Sequence, residues 1–141
     1  MYLIDTNVVS ETRKGQRANA GVRAFHERVR REGAQLFMSA VSVGELRRGA
    51  DMVRHRGDNA QAAQLDQWLT GLLVDYAGNI LPFTGDTAQL WGRLRVPHHE
   101  NAIDKQIAAT ALIHDLTLVT RNTADFSATG VRLLNPFSAG H

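Results

Sequence analysis

The chain has 141 residues, 43% hydrophobic and 21% charged, which suits one globular domain able to bury a core without covalent staples. It has no cysteine, which excludes disulfides and thiolate metal sites, and no apolar run near the roughly 20 residues of a membrane span. The net charge of +2 is unevenly spread: 11 Lys/Arg against 6 Asp/Glu over residues 1–56, then 5 against 8 over residues 57–141.

Residues 2–5 read as a buried parallel strand, short and apolar with no polar alternation. No signal-peptide pattern marks this amino terminus, and a cytoplasmic protein is expected. A short helix is predicted over Val8 to Thr12, then a loop from Arg13 to Ala20. Val22, Phe25, His26 and Val29 fall on one helical face that runs to Glu32, with Gly33 as its stop. Leu36 to Ser39 reads as a second strand, and Val41 to His55 as a helix. A further helix covers Asp58 to Tyr76, with Leu65, Trp68, Leu69, Leu72 and Leu73 as its apolar stripe. Ile80 to Phe83 is a third strand, and Asp86 to Arg95 a helix carrying Leu90, Trp91 and Leu94. Pro97 to Glu100 is a loop, Asp104 to His114 a helix, and Leu116–Thr120 and Val131–Leu134 are the last strands. Strands alternating with helices predict a single α/β domain over residues 1–141, a parallel sheet with helices on both faces.

Four acids stand out against this frame. Asp5 ends the first strand, Glu45 starts a helical pattern after the second, Asp104 opens a helix, and Asp125 follows the Leu116–Thr120 strand by one short turn. In an open α/β sheet, groups just past the carboxyl ends of strands share one crevice. Carboxylates gathered there with no lysine obviously among them ask for a divalent cation. Each acid alone also has a structural explanation. Ser42 to Glu45 has the spacing of a capping box, Asn101 to Asp104 nearly so, Asp5 suits a helix cap and Asp125 an Asx turn. Capping is worth roughly 0.5–2 kcal/mol. Two carboxylates about 4 Å apart repel by on the order of 4 kcal/mol at an effective dielectric near 20. Capping therefore accounts for an isolated acid but not for a cluster.

Three stretches, Leu3-Ile4-Asp5-Thr6-Asn7, Asp104 through His114, and Leu116 through Phe126, resemble the PIN-domain ribonucleases, in particular the VapC/FitB-type toxins of toxin–antitoxin pairs. The likeness runs nearly end to end and includes Ile80-Leu81-Pro82-Phe83 and Asn135-Pro136-Phe137. It implies a PIN-like domain and a metal-dependent endoribonuclease that uses Mg2+, with Mn2+ as substitute. It also implies products with a 5′-phosphate and a 3′-hydroxyl, a homodimer, and an antitoxin that blocks the pocket and binds operator DNA. Matched position by position, Asp5, Glu45, Asp104 and Asp125 are the implied catalytic and metal-holding acids. Some FitB-like relatives carry the fourth acid where Asn122 stands, which leaves Asp125 and the Asn122 amide as alternatives. Thr6, Asn7 and Thr120 are implied to orient carboxylates or water.

Arg47 and Arg48 share the helix of Glu45, and Arg121 lies nearer the inferred pocket; these are the candidates for RNA or antitoxin contact, against a solvated helix face. The adjacent His98-His99 pair lacks the spacing of a helical zinc site, and His26, His114, Trp68 and Trp91 read as helix-face or core residues. Two rival functions are a PIN-fold partner protein that does not cut and a phosphatase of the haloacid dehalogenase type. The phosphatase requires a second aspartate two positions after the first, where this chain has Asn7.

Overall fold

The first strand is the central one. In a computed structural model, which describes residues 1–138, five short strands form one parallel sheet in the order β3-β2-β1-β4-β5. These are β1 (Tyr2–Ile4), β2 (Leu36–Ser39), β3 (Ile80–Leu81), β4 (Thr117–Val119) and β5 (Leu133–Leu134). Tyr2 pairs with Leu36 on one side and Thr117 on the other, so β1 is hydrogen-bonded along both edges. That placement explains its lack of polar alternation, and Leu3 and Ile4 are both fully buried.

Successive side chains of a strand point to opposite faces, and β1 feeds two cores. Ile4 packs with Val8, Val9, Val22, Phe25, Val29, Leu69 and Leu72 from α1 (Thr6–Thr12), α2 (Ala20–Glu32) and α4 (Asn59–Asp75). Leu3 packs with Ile107, Ala108, Ala111 and Phe126 from α6 (Ala102–Ile113) and α7 (Thr123–Phe126). Helix α3 (Ala40–His55) contributes Val43 and Leu46 to the first core and Val41 to the second, while α5 (Gly85–Leu94) lies against α6. The chain crosses from β1 toward β2 and β3, then returns to place β4 on the other side. The sheet order therefore reverses beside β1, and a crevice opens past the carboxyl ends of β1 and β4.

Several boundaries differ from the sequence reading. Helix α1 begins at Thr6 rather than Val8, because the Asp5 side chain caps it through the Thr6 N–H. Helix α7 and the 3-10 turns at Gly15–Arg17 and Ser127–Thr129 fall in stretches too short to show periodicity. Strand β3 stops at Leu81, since Pro82 has no N–H for a ladder. Both capping-box readings fail. Ser39, not Ser42, caps α3, and Asn101 sits at a left-handed φ of 56° with no side-chain bond to the helix it precedes.

The chain's last described segment folds back onto α2. Asn19 accepts a hydrogen bond from the Ser138 N–H at 2.9 Å, and a Cβ on Gly21 would lie 2.2 Å from the Pro136 carbonyl oxygen. Only glycine permits that approach. Phe137 is thereby held beside the residues that follow β4.

Candidate active site

Asp5 is the most constrained of the four acids. Its position after the central strand is fixed by its own N–H, which donates to the Val119 carbonyl of β4 at 2.9 Å. One carboxylate oxygen accepts from the Thr6 N–H at 2.8 Å; the other accepts from the Thr120 hydroxyl at 2.8 Å and the Asn7 amide at 3.4 Å. Thr120 in turn accepts from the Asn122 N–H at 3.1 Å, and the Asn7 carbonyl oxygen accepts from the Arg121 N–H at 3.2 Å. The ends of β1 and β4 are thus stitched together around one carboxylate that is only 4% exposed. Burial raises its pKa, the hydrogen bonds from Thr120 and Thr6 oppose that, and the charge of Asp125 adds to it.

Asp104 lies in the first turn of α6 and is half-buried. Its carboxyl is pushed up to about 6, first by burial and then by the negative charges of Asp5, Asp125 and Glu45. Acids drawn from four separate parts of the chain therefore act on one another across the crevice. Glu45 is half-buried on α3, where it borders a cleft of about 210 Å³ shared with Thr6, Ser10, Arg13 and Trp68. Asp125 and Asn122 sit on the exposed rim, and the Asn122 side chain makes no bond to the turn of helix that follows.

These donors are all oxygen, the set that hard divalent cations take. Among the described residues, no three His, Cys, Asp or Glu side chains are drawn together as a ready-made ion cage. Two further groups lack partners. The Thr6 hydroxyl, beside Asp5, and the Ser42 hydroxyl, one helical turn before Glu45, are buried and unbonded among the described residues.

The cations divide differently from the sequence reading. Arg47 is tied to Asp66 at 2.7 Å and Asp51 at 3.4 Å, and Arg54 completes the cluster through the same two acids. Arg47 is therefore committed to joining α3 and α4, while Arg48 is exposed and forms no ion pair among the described residues. The Arg121 backbone N–H belongs to the Asp5–Thr120 stitch through Asn7, while its guanidinium lies 4.7 Å from the centroid of the Phe137 ring. Lys105, adjacent to Asp104, escaped the sequence reading because it sits within the helical run. It is buried, and its ammonium donates to the His98 carbonyl, anchoring the loop before α6. His98 and His99 are exposed in that loop, and His98 faces Glu100 at 3.9 Å. Trp91 donates to the Ala102 carbonyl at 3.0 Å and Trp68 borders the first core, as expected of packing residues.

Residues 2–131 match the PIN domain family. The chain is 36% identical to Toxin FitB of Neisseria gonorrhoeae over 97% of its length and 99% of the toxin's. It is 32% identical to a VapC ribonuclease of Sinorhizobium fredii, over 97% of the chain and 98% of the relative. A solved structure of FitAB bound to an IR36 DNA fragment superposes with a TM-score of 0.76 at 33% identity, covering 100% of this chain and 99% of that one. The parallel five-stranded sheet and these likenesses over the whole length agree, and the chain belongs to the PIN-domain family, among the FitB and VapC toxins.

Proposed function

We propose that the protein is a metal-dependent endoribonuclease and the toxin of a toxin–antitoxin pair. The observation that carries this reading is that the charges of Asp5, Asp125 and Glu45 all add to burial in raising Asp104 to about 6, while none of the four acids forms an ion pair among the described residues. Asp5, Glu45, Asp104 and Asp125 would hold Mg2+ or Mn2+, with the Asn122 amide as an alternative fourth donor. When bound, such an ion neutralises the phosphodiester and makes hydroxide accessible near neutral pH.

The chain's own residues supply position and proton balance. Thr6, Asn7 and Thr120 fix the Asp5 carboxylate in one orientation, so none of its binding is spent on ordering a loose side chain. Asp104, raised to about 6 by burial and by the neighbouring acids, becomes ionised when a cation enters the cleft and releases its proton there. The Arg121 guanidinium, exposed beside Phe137, is available to meet a phosphate.

Antitoxin binding is proposed by likeness to FitAB, in a complex that reaches DNA. Operator DNA would be contacted through the antitoxin, and a homodimer acting in the cytoplasm is the proposed working form. No described helix is long and apolar enough to cross a membrane. The phosphatase reading is disfavoured by Asn7, whose amide is occupied with Asp5 and the Arg121 N–H rather than offering a second acid. The test is incubation of end-labelled RNA with the protein and Mg2+, with and without EDTA. Internal cleavage that EDTA abolishes and that Asp104→Asn lacks is expected. An intact RNA under all metals tried would leave a PIN-fold binding partner as the better reading.

A further inference from the structure

Beyond the acid cluster, a groove of about 530 Å³ opens on the other side of Arg121. Its charged and aromatic lining is Glu11, Lys14, Arg17, Arg23, Arg121 and Phe137, four cations against one carboxylate. That carboxylate is already occupied. Glu11 accepts from the Asn19 N–H at 2.8 Å and from Lys14 at 3.0 Å, and its side chain is only 11% exposed. Arg17, Arg23 and Arg121 are exposed and form no ion pair among the described residues, although Arg23 donates to the Ala18 carbonyl at 3.2 Å. Phe137 is fixed by the tail's contacts with Asn19 and Gly21 and carries the Arg121 guanidinium over its ring. The groove lies next to the residues that hold Asp5, since Arg121, which lines it, directly follows Thr120, whose hydroxyl donates to Asp5.

We infer that this groove carries the backbone of single-stranded RNA as it leaves the acidic cleft, with Lys14, Arg17 and Arg23 on phosphates and the Arg121–Phe137 pair beside a base. The inference rests on the ribonuclease reading. Two neighbouring surfaces of opposite sign select the ligand. An acidic peptide suits the groove but is repelled by the cleft, and a basic peptide suits the cleft but not the groove. A nucleic acid satisfies both, because divalent cations admit its phosphate to the cleft while arginines take the phosphates beyond it. An aromatic ring between cations favours an unpaired base over a duplex, whose bases already stack on one another.

The experiment measures binding of a labelled single-stranded RNA of about 16 nucleotides, with Ca2+ in place of Mg2+ so that binding is read without relying on turnover. For the triple variant Lys14→Gln, Arg17→Gln, Arg23→Gln, loss of three phosphate contacts lowers the slope of log affinity against log salt by about 2. Over a fourfold change in salt that is about a 15-fold difference from wild type. The lysine variant Arg17→Lys, Arg23→Lys should bind close to wild type. If the triple variant is poorly folded by melting curve, Arg17→Gln alone should lower the slope by about 0.7. Poly-glutamate should displace the RNA far less well than unlabelled single-stranded RNA does. A folded triple variant with unchanged affinity and salt slope overturns the inference, and so does poly-glutamate that competes as well as RNA. Failure of the nuclease reading looks different: wild type that binds RNA through the groove but cuts none in Mg2+ refutes the nuclease and keeps the groove.

Discussion

Helix α3 takes part in two acidic clusters of opposite character. Toward its start, Glu45 joins Asp5, Asp104 and Asp125 at the cleft; further along, Asp51 and the neighbouring Asp66 meet Arg47 and Arg54. In the second cluster two acids face two arginines, and the hydrogen bond from Arg47 holds Asp66 below the usual carboxylate range. In the first cluster none of the four acids forms an ion pair among the described residues, and both Asp5 and Asp104 are raised. One cluster is electrically complete and joins two helices. The other is left without a partner of opposite charge among the described residues, and we propose that a divalent cation supplies it. That contrast separates a self-paired set of carboxylates from an unpaired one more sharply than the count of acids does, because each cluster contains several.

The largest effect that can test the contrast is on cleavage. Asp104→Asn and Asp5→Asn should each lower RNA cleavage by on the order of 10²–10³-fold or more, the scale of removing one charge-stabilising group from an active site. Asp66→Asn should leave the rate where it was. Asp125→Asn should lose less than the other two, since Asn122 stands beside it on the rim. Initial rates on a single labelled RNA suffice to rank the four, and wild-type cleavage by Asp104→Asn would refute the site.

Much of this was legible in the sequence for a physical reason. The strands are apolar runs bounded by turns, and strand ends in a parallel sheet converge, so placing Asp5 and Thr120 after strands also placed them near one another. Thr6, Asn7 and Thr120 surround Asp5 as the resemblance implied, Thr6 through its backbone N–H. What was not legible depends on contacts between distant segments. Nothing in the order of residues says that Arg47 reaches Asp66 across 19 positions, so Arg47 read as free for a ligand. Ser42 looked like a cap because it precedes Glu45 by three, yet the helix had already begun at Ala40 and left its hydroxyl buried without a partner. Likewise Lys14, Arg17, Arg23 and Phe137 form a groove only because the tail returns to α2. Helix α7 spans four residues, less than the window any helical pattern needs.

A second effect concerns stability with and without metal. Mg2+ at about 100 times its dissociation constant should add about 2.7 kcal/mol to wild type and to Asp66→Asn, read as a rise in melting temperature, and nothing to Asp104→Asn. Without metal the two cleft variants should differ from each other. Asp104→Asn removes a repelled charge and should hold steady or gain. Asp5→Asn should lose about 1 kcal/mol, because an amide cannot accept from Thr6, Asn7 and Thr120 together. Equal Mg2+ protection of Asp104→Asn and wild type would erase the distinction between the clusters.

A third effect is on pH, where the clusters should respond with opposite sign. The Asp104 carboxyl is raised in the fold, so its contribution to stability is fully present below pH 3.8 and is lost as pH rises through about 6. For this half-exposed group the loss is on the order of 1 kcal/mol after screening by solvent. Asp66 is lowered, so its contribution is present above pH 3.8 and is lost as pH falls below it. Melting curves between pH 4.5 and pH 7.5, taken as about the span of the Asp104 change, should therefore fall in metal-free wild type and flatten in Asp104→Asn. Added Mg2+ should flatten the wild-type curve as well, since a cation in the cleft favours the ionised form. A wild-type curve that stays flat in EDTA would mean that burial and the neighbouring acids do not raise Asp104 in the fold.

The smallest effect belongs to the arginine cluster, and its smallness is what the contrast requires. Arg47, Asp51, Arg54 and Asp66 are all at least 36% exposed, so water screens their attraction and the long side chains lose entropy in meeting. Asp66→Asn and Arg47→Gln should each lower the melting temperature slightly at low salt. The difference should vanish as salt rises, because the Debye length shrinks from about 10 Å at 0.1 M to about 3 Å at 1 M. Charge reversal is the more searching change. Arg47→Glu sets a third acid against Asp51 and Asp66 and should destabilise more than Arg48→Glu, whose side chain meets no acid among the described residues. If the two reversals cost the same, the arginine cluster is not a clasp, and Arg47 returns to the pool of cations open to a ligand. If Arg47→Glu costs more at low salt and the gap closes at high salt, the same helix has been shown to hold acids in two electrical states, one satisfied from within the chain and one not.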